Sequence, residues 1–67
     1  MEISKIIKEA RIKKGMTQQE LADSVYVTRQ TISKWELGKS IPDELSFRLL
    51  CQCLEIDNNV RKKIVVN

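Results

Sequence analysis

The chain has 67 residues, with 12 Lys and Arg against 9 Asp and Glu, a net charge of +3 and no histidine. A length this close to the lower limit for a self-standing core leaves about 3–5 kcal/mol of net stability at best, which argues against a large catalytic cavity. The mild basic excess suits a phosphate-rich partner without requiring one, and two cysteines without histidine do not make a structural zinc site.

Ile3, Ile6, Ile7 and Ala10 recur at the spacing of an amphipathic helix, with Lys5, Lys8, Glu9 and Lys13 left for solvent, so a first helix is predicted to end at Gly15. Arg11 reads here as one more solubilising charge beside Lys13 and Lys14. Charge alternates with aliphatics throughout this segment, unlike the apolar core of a signal peptide, and no later run is long enough to span a bilayer. A cytoplasmic protein with no membrane partner is the expectation.

Thr17 with Glu20 forms a capping box, opening a second helix of about two turns with Leu21, Ala22 and Val25 on its buried side. Thr28 can cap a third helix running to about Leu37 and stopping at Gly38, with Arg29 and Gln30 exposed at its start. In the stretch TRQTISKWELGKS, from Thr28 to Ser40, polar residues surround only two large apolar ones, Ile32 and Trp35. A helix that merely filled a core would carry a wider apolar stripe. Trp35 lies three positions from Ile32 and so shares its inward face.

Pro42, Asp43 and Glu44 mark the start of a fourth helix, for which Leu45, Leu49, Leu50, Cys53 and Leu54 supply the predicted apolar face. Cys51 and Cys53, two positions apart on that helix, point to different faces and read as reduced apolar fillers. After Asp57 to Asn59, the run VRKKIVV at 60–66 forms a fifth element, compatible with a short strand but taken as helix. Its Arg61, Lys62 and Lys63 read as a solvated basic end. No repeat, linker or low-complexity tract divides the chain, so residues 1–67 are expected to form a single domain.

The run TQQELADSVYVTRQTISKWELGKSIPD, from Thr17 to Asp43, closely resembles the helix-turn-helix of the phage repressor and Cro family, also called the XRE family of bacterial regulators. Three separate requirements agree: TQxELA opening the second helix, TRQTISKWE in the third, and GKS-x-P directly after it. The resemblance covers nearly the whole chain and implies an all-α, compact five-helix repressor-like domain with a central helix-turn-helix. Residue by residue, it implies that Gln18 contacts phosphate, that Arg29, Gln30 and Lys34 face the groove, and that Thr31 and Ser33 assist in reading bases.

The side-chain chemistry agrees. Arg can donate twice to guanine O6 and N7, and Gln can pair with adenine N6 and N7, each discriminating by about 1–3 kcal/mol. Thr28 and Gln18, at helix N-termini, suit phosphate rather than bases, and Lys39 is a further phosphate candidate. Two positions depart from the family pattern. Tyr26 stands where Gly is usual, so the backbone there either avoids the left-handed region or accepts about 1 kcal/mol or more of strain. Leu37 replaces a common Asn, which removes an amide that could bond phosphate and leaves an apolar side chain exposed.

These features predict a sequence-specific regulator of transcription, a repressor, bound to a double-stranded DNA operator as a homodimer with copies about 34 Å apart. An antitoxin-like module that sequesters a protein partner is the alternative, and no long appended segment of the kind that wraps such a partner is present. No cofactor or metal is expected. An enzyme is the weakest reading, because no carboxylate pair or activated thiol is in view.

Overall fold

The computed structural model describes residues 3–56, which form four α-helices: α1 (Ile3–Lys13), α2 (Gln18–Ser24), α3 (Arg29–Glu36) and α4 (Glu44–Leu54). Among the described residues there is no strand. The fifth helix predicted at 60–66, with Arg61, Lys62 and Lys63, lies outside the described residues.

Local chemistry sets the helix starts. Glu20 N–H donates to the Thr17 hydroxyl at 3.0 Å while Thr17 N–H donates to the Glu20 carboxylate at 2.8 Å, the reciprocal pair that the TQQE run predicts. Thr28 and Asp43 cap α3 and α4 with one bond each, accepting from Thr31 N–H at 3.2 Å and Ser46 N–H at 2.7 Å.

All four helices close alike. A residue with φ between 58° and 75° follows each helix, and the next N–H reaches back five positions: Met16 to Arg11, Val27 to Ala22, Lys39 to Lys34 and Ile56 to Cys51. Gly15 and Gly38 take the left-handed conformation freely, whereas Tyr26 and Glu55 take it as L side chains. At Tyr26 the chain therefore enters the left-handed region and accepts the strain, with the phenol 84% exposed.

The core gathers around α3, which packs on both α1 and α2, while α4 packs on α1. Ile7, Leu21, Ala22, Val25, Ile32, Phe47 and Leu50 are all but sealed from water, and each large member contributes about 1.5–3 kcal/mol by burial. Trp35 joins them at 5% exposure, as its spacing from Ile32 predicts.

The inward face of α4 differs from the predicted one. Phe47, Leu50, Cys51 and Leu54 are buried, Leu49 and Cys53 are half-buried at the margin, and Leu45 is 66% exposed. The buried four follow the i, i+3, i+4, i+7 pattern of one stripe, and Leu45, two positions before Phe47, falls on the other side of the helix.

Candidate nucleic-acid interface

Helix α3 stands on the core through Ile32 and Trp35, which turns its remaining residues outward. Arg29, Gln30 and Lys34 are exposed, and Thr31 and Ser33 are half-buried beside them. Arg29 and Gln30 occupy the first two helical positions, where backbone N–H groups have no partner within the helix. An anion is favoured at that end, and the side chains extend past it.

The hydroxyl of Thr28 has work within its own helix. It accepts from Thr31 N–H and shares a 3.0 Å bond with the Thr31 hydroxyl. A hydroxyl has one proton and two acceptor positions, so Thr28 keeps its proton for another acceptor when Thr31 is the donor in that shared bond. Lys39 is exposed just beyond α3, its N–H held by the Lys34 carbonyl at 2.9 Å. Leu37 is 66% exposed, as the missing amide at that position predicts.

Arg11 is not the solubilising surface residue its charge predicts. Its Nε donates to Glu36 Oε2 at 2.7 Å and its Nη2 to Glu36 Oε1 at 3.1 Å, a two-pronged ion pair in which the side chains are 12% and 3% exposed. Its Nη1 donates to the Met16 carbonyl at 2.7 Å, tying the end of α1 to the entry of α2. Gln18 joins from α2, its Nε2 donating to Glu36 Oε1 at 3.1 Å. One amide proton of Gln18 is thereby fixed, and the amide's second proton is a further donor at the N-terminus of α2.

Sequence reasoning could have flagged Arg11, because it follows Ile7 by four positions and so lies on the inward stripe of α1. An arginine on such a stripe calls for an anionic partner. Three helices meet in this cluster, and the Glu36 charge is neutralised by Arg11.

Away from this side, a concavity of about 330 Å³ is lined by Ala10, Lys13, Lys14, Leu54, Glu55 and Ile56. There the Lys14 ammonium bonds the Glu55 carboxylate and, by that hydrogen bond first and its charge second, lowers the carboxyl below its ordinary pKa. No three metal-binding side chains come together among the described residues, and no helix among them is long and apolar enough to cross a membrane.

Comparison with known proteins places these features. Residues 7–57 match the family model described as helix-turn-helix. The chain is 36% identical over 56 residues to the HTH-type transcriptional activator BcrR of Enterococcus faecalis, covering 84% of this chain and 28% of that protein. It is 41% identical over 58 residues to the Type II methyltransferase M1.ScrFI of Lactococcus lactis subsp. cremoris, covering 82% of this chain and 15% of the methyltransferase. It is 36% identical over 53 residues to the SPbeta prophage-derived uncharacterized HTH-type transcriptional regulator YonR of Bacillus subtilis (strain 168), covering 79% of this chain and 49% of YonR. The chain thus spans less than half the length of each of these relatives. No solved structure matches it. A family match running from α1 through α4, over the same turn and exposed third helix, makes this chain a member of the phage repressor and Cro-like, or XRE-type, helix-turn-helix family of transcriptional regulators.

Proposed function

We propose that the chain binds double-stranded DNA sequence-specifically, laying α3 in the major groove, and that it represses transcription by occupying its operator. The observation that carries the reading is the division of α3: Ile32 and Trp35 anchor it while Arg29, Gln30 and Lys34 are exposed along it. Arg29 and Gln30 read base edges, Lys34 reaches the groove one turn later, and Thr31 and Ser33 assist. Gln18, Thr28 and Lys39 hold the flanking phosphates and set the register. Family membership favours a binding protein over an enzyme, and the methyltransferase is matched only through its helix-turn-helix part. Occupying an operator in the cytoplasm is sufficient to repress.

One domain of this size offers only a handful of contacts. Tight binding therefore calls for a homodimer on a two-fold related operator, its half-sites about 34 Å apart. Selecting bound duplexes from a random pool at one fixed salt concentration tests the proposal. An enriched motif containing two half-sites one helical turn apart is expected, and a pool that returns no enriched sequence overturns the reading.

A further inference from the structure

We infer that Leu37 is a specificity-determining residue of the groove-reading surface, its side chain lying against the C5 methyl group of a pyrimidine in the major groove. The inference rests on the DNA-binding reading above and deepens it by adding an apolar contact to the polar ones at the start of α3.

An exposed leucine alone needs no explanation, since much of any protein surface is apolar. The position of Leu37 does. It follows Gln30 by seven residues, Ser33 by four and Lys34 by three, the separations that stack side chains on one face of a helix. Ile32 and Trp35 hold the opposite face in the core, so the stripe from Gln30 to Leu37 turns outward as a unit.

The backbone keeps Leu37 in that stripe. Its conformation is still right-handed helical, and its N–H donates to the Ser33 carbonyl at 2.9 Å. The left-handed turn comes one residue later, at Gly38. The side chain is therefore aimed with Gln30 and Lys34, and it is 66% exposed. Among the described residues, the other exposed large apolar side chains, Ile12, Tyr26, Ile41 and Leu45, stand on other segments.

Chemistry decides what such a side chain can meet. It has no donor for a phosphate oxygen and no partner for a polar base edge. The apolar group that base edges present in the major groove is the C5 methyl of thymine, and a methylated cytosine carries the same group on the same carbon. Seven residues of helix rise about 10.5 Å and base pairs are about 3.4 Å apart, so the methyl lies within about three steps of the base that Gln30 reads. The start of such a helix is nearest the base edges, and a methyl projecting from its base into the groove shortens the reach needed from a later turn.

The test uses the operator selected from the random pool, at one salt concentration. Each thymine of a half-site is replaced in turn by deoxyuridine, which lacks only the methyl, and each cytosine by 5-methylcytosine, which adds it. At one position the wild-type chain should bind the methylated form about fourfold more tightly, the effect of burying one methylene-sized group. Leu37→Ala should bind both forms equally there. Because Leu37 is exposed, the variant should melt like wild type, and methyl preferences set by other side chains should persist in it. A preference lost in the thymine series names thymine as the base contacted, and one lost in the cytosine series names methylated cytosine. If Leu37→Ala keeps every methyl preference of the wild type, or the wild type has none, the contact is overturned while sequence-specific binding stands. A pool that enriches no sequence would instead remove the DNA-binding reading, and this inference with it.

Discussion

Along the eight residues of α3, the side turned to the protein and the side turned to solvent obey different constraints. Ile32 and Trp35, at 0% and 5% exposure, are fitted into a closed core, where a lost methylene leaves a void. Arg29, Gln30 and Lys34 are exposed, and nothing in the packing restricts what those positions carry. The fold and the exposed face of α3 can therefore be changed separately, with one exception. Glu36 is polar yet its side chain is only 3% exposed, and it joins Arg11 of α1 to Gln18 of α2 at the seam between the two sides.

The largest effect that would break this division is on the inward side. Trp35→Ala should cost about 3–5 kcal/mol, the whole net stability of a domain this size, so circular dichroism at 25 °C should show an unfolded chain without DNA. A cooperative melt near that of wild type would take Trp35 out of the core. At the seam, Glu36→Gln keeps the shape but removes the charge opposite Arg11, and should cost about 2–3 kcal/mol in denaturant melts. That is less than for a sealed pair, since the Arg11 side chain is 12% exposed and the new amide still accepts a bond.

Outward changes should leave the melt alone. Gln30→Ala is expected to shift stability by no more than about 0.5 kcal/mol, yet to weaken the selected operator by about 1–3 kcal/mol. At the same salt, unrelated duplex should bind unchanged, because phosphate contacts supply that affinity. Equal weakening on every duplex would assign Gln30 to positioning rather than reading.

Two smaller effects lie off both faces of α3 and sharpen the contrast. Tyr26→Gly relieves about 1–2 kcal/mol of left-handed strain and loses part of it to the freer unfolded chain, for a net gain of about 0.5–1 kcal/mol in melting experiments. A loss of stability would mean that the exposed phenol makes contacts that outweigh its backbone strain. The smallest effect is at Glu55. Its carboxyl pKa lies below the ordinary 4.5 when folded, so the Lys14 contact contributes fully above that pH and is lost as pH falls through the lower folded value. Lys14→Ala should therefore melt slightly below wild type at neutral pH and converge with it in acid; a constant gap across that range would show that the contact is not ionic.

What could be read from the sequence was mostly local. Thr17 with Glu20, Thr28, Asp43, Gly15 and Gly38 announce helix ends because each acts within five residues of itself. The left-handed closures at Tyr26 and Glu55 carry no such mark, since nothing in a tyrosine or a glutamate requires that conformation. On α4, leucines and cysteines compose two overlapping stripes, and the choice of Phe47 and Cys51 over Leu45 and Cys53 is made by the helices that α4 meets. Glu36 is 25 positions from Arg11, a distance at which no local pattern links them. At the candidate interface, the exposure of Arg29, Gln30 and Lys34 follows from the polar run around Ile32 and Trp35. The bond that holds Gln18 does not, because it depends on where α2 crosses α3.

That bond has a bearing on the thermodynamics of association. A free glutamine samples many rotamers, and stilling such a side chain at an interface costs about 0.5–1.5 kcal/mol of conformational entropy. Gln18 is already tethered to Glu36 before any duplex arrives, and Glu36 is itself clamped by Arg11. The disorder of that rotor is surrendered when the chain folds, so if Gln18 holds a phosphate as proposed, the unfavourable entropy of capture is smaller by that amount.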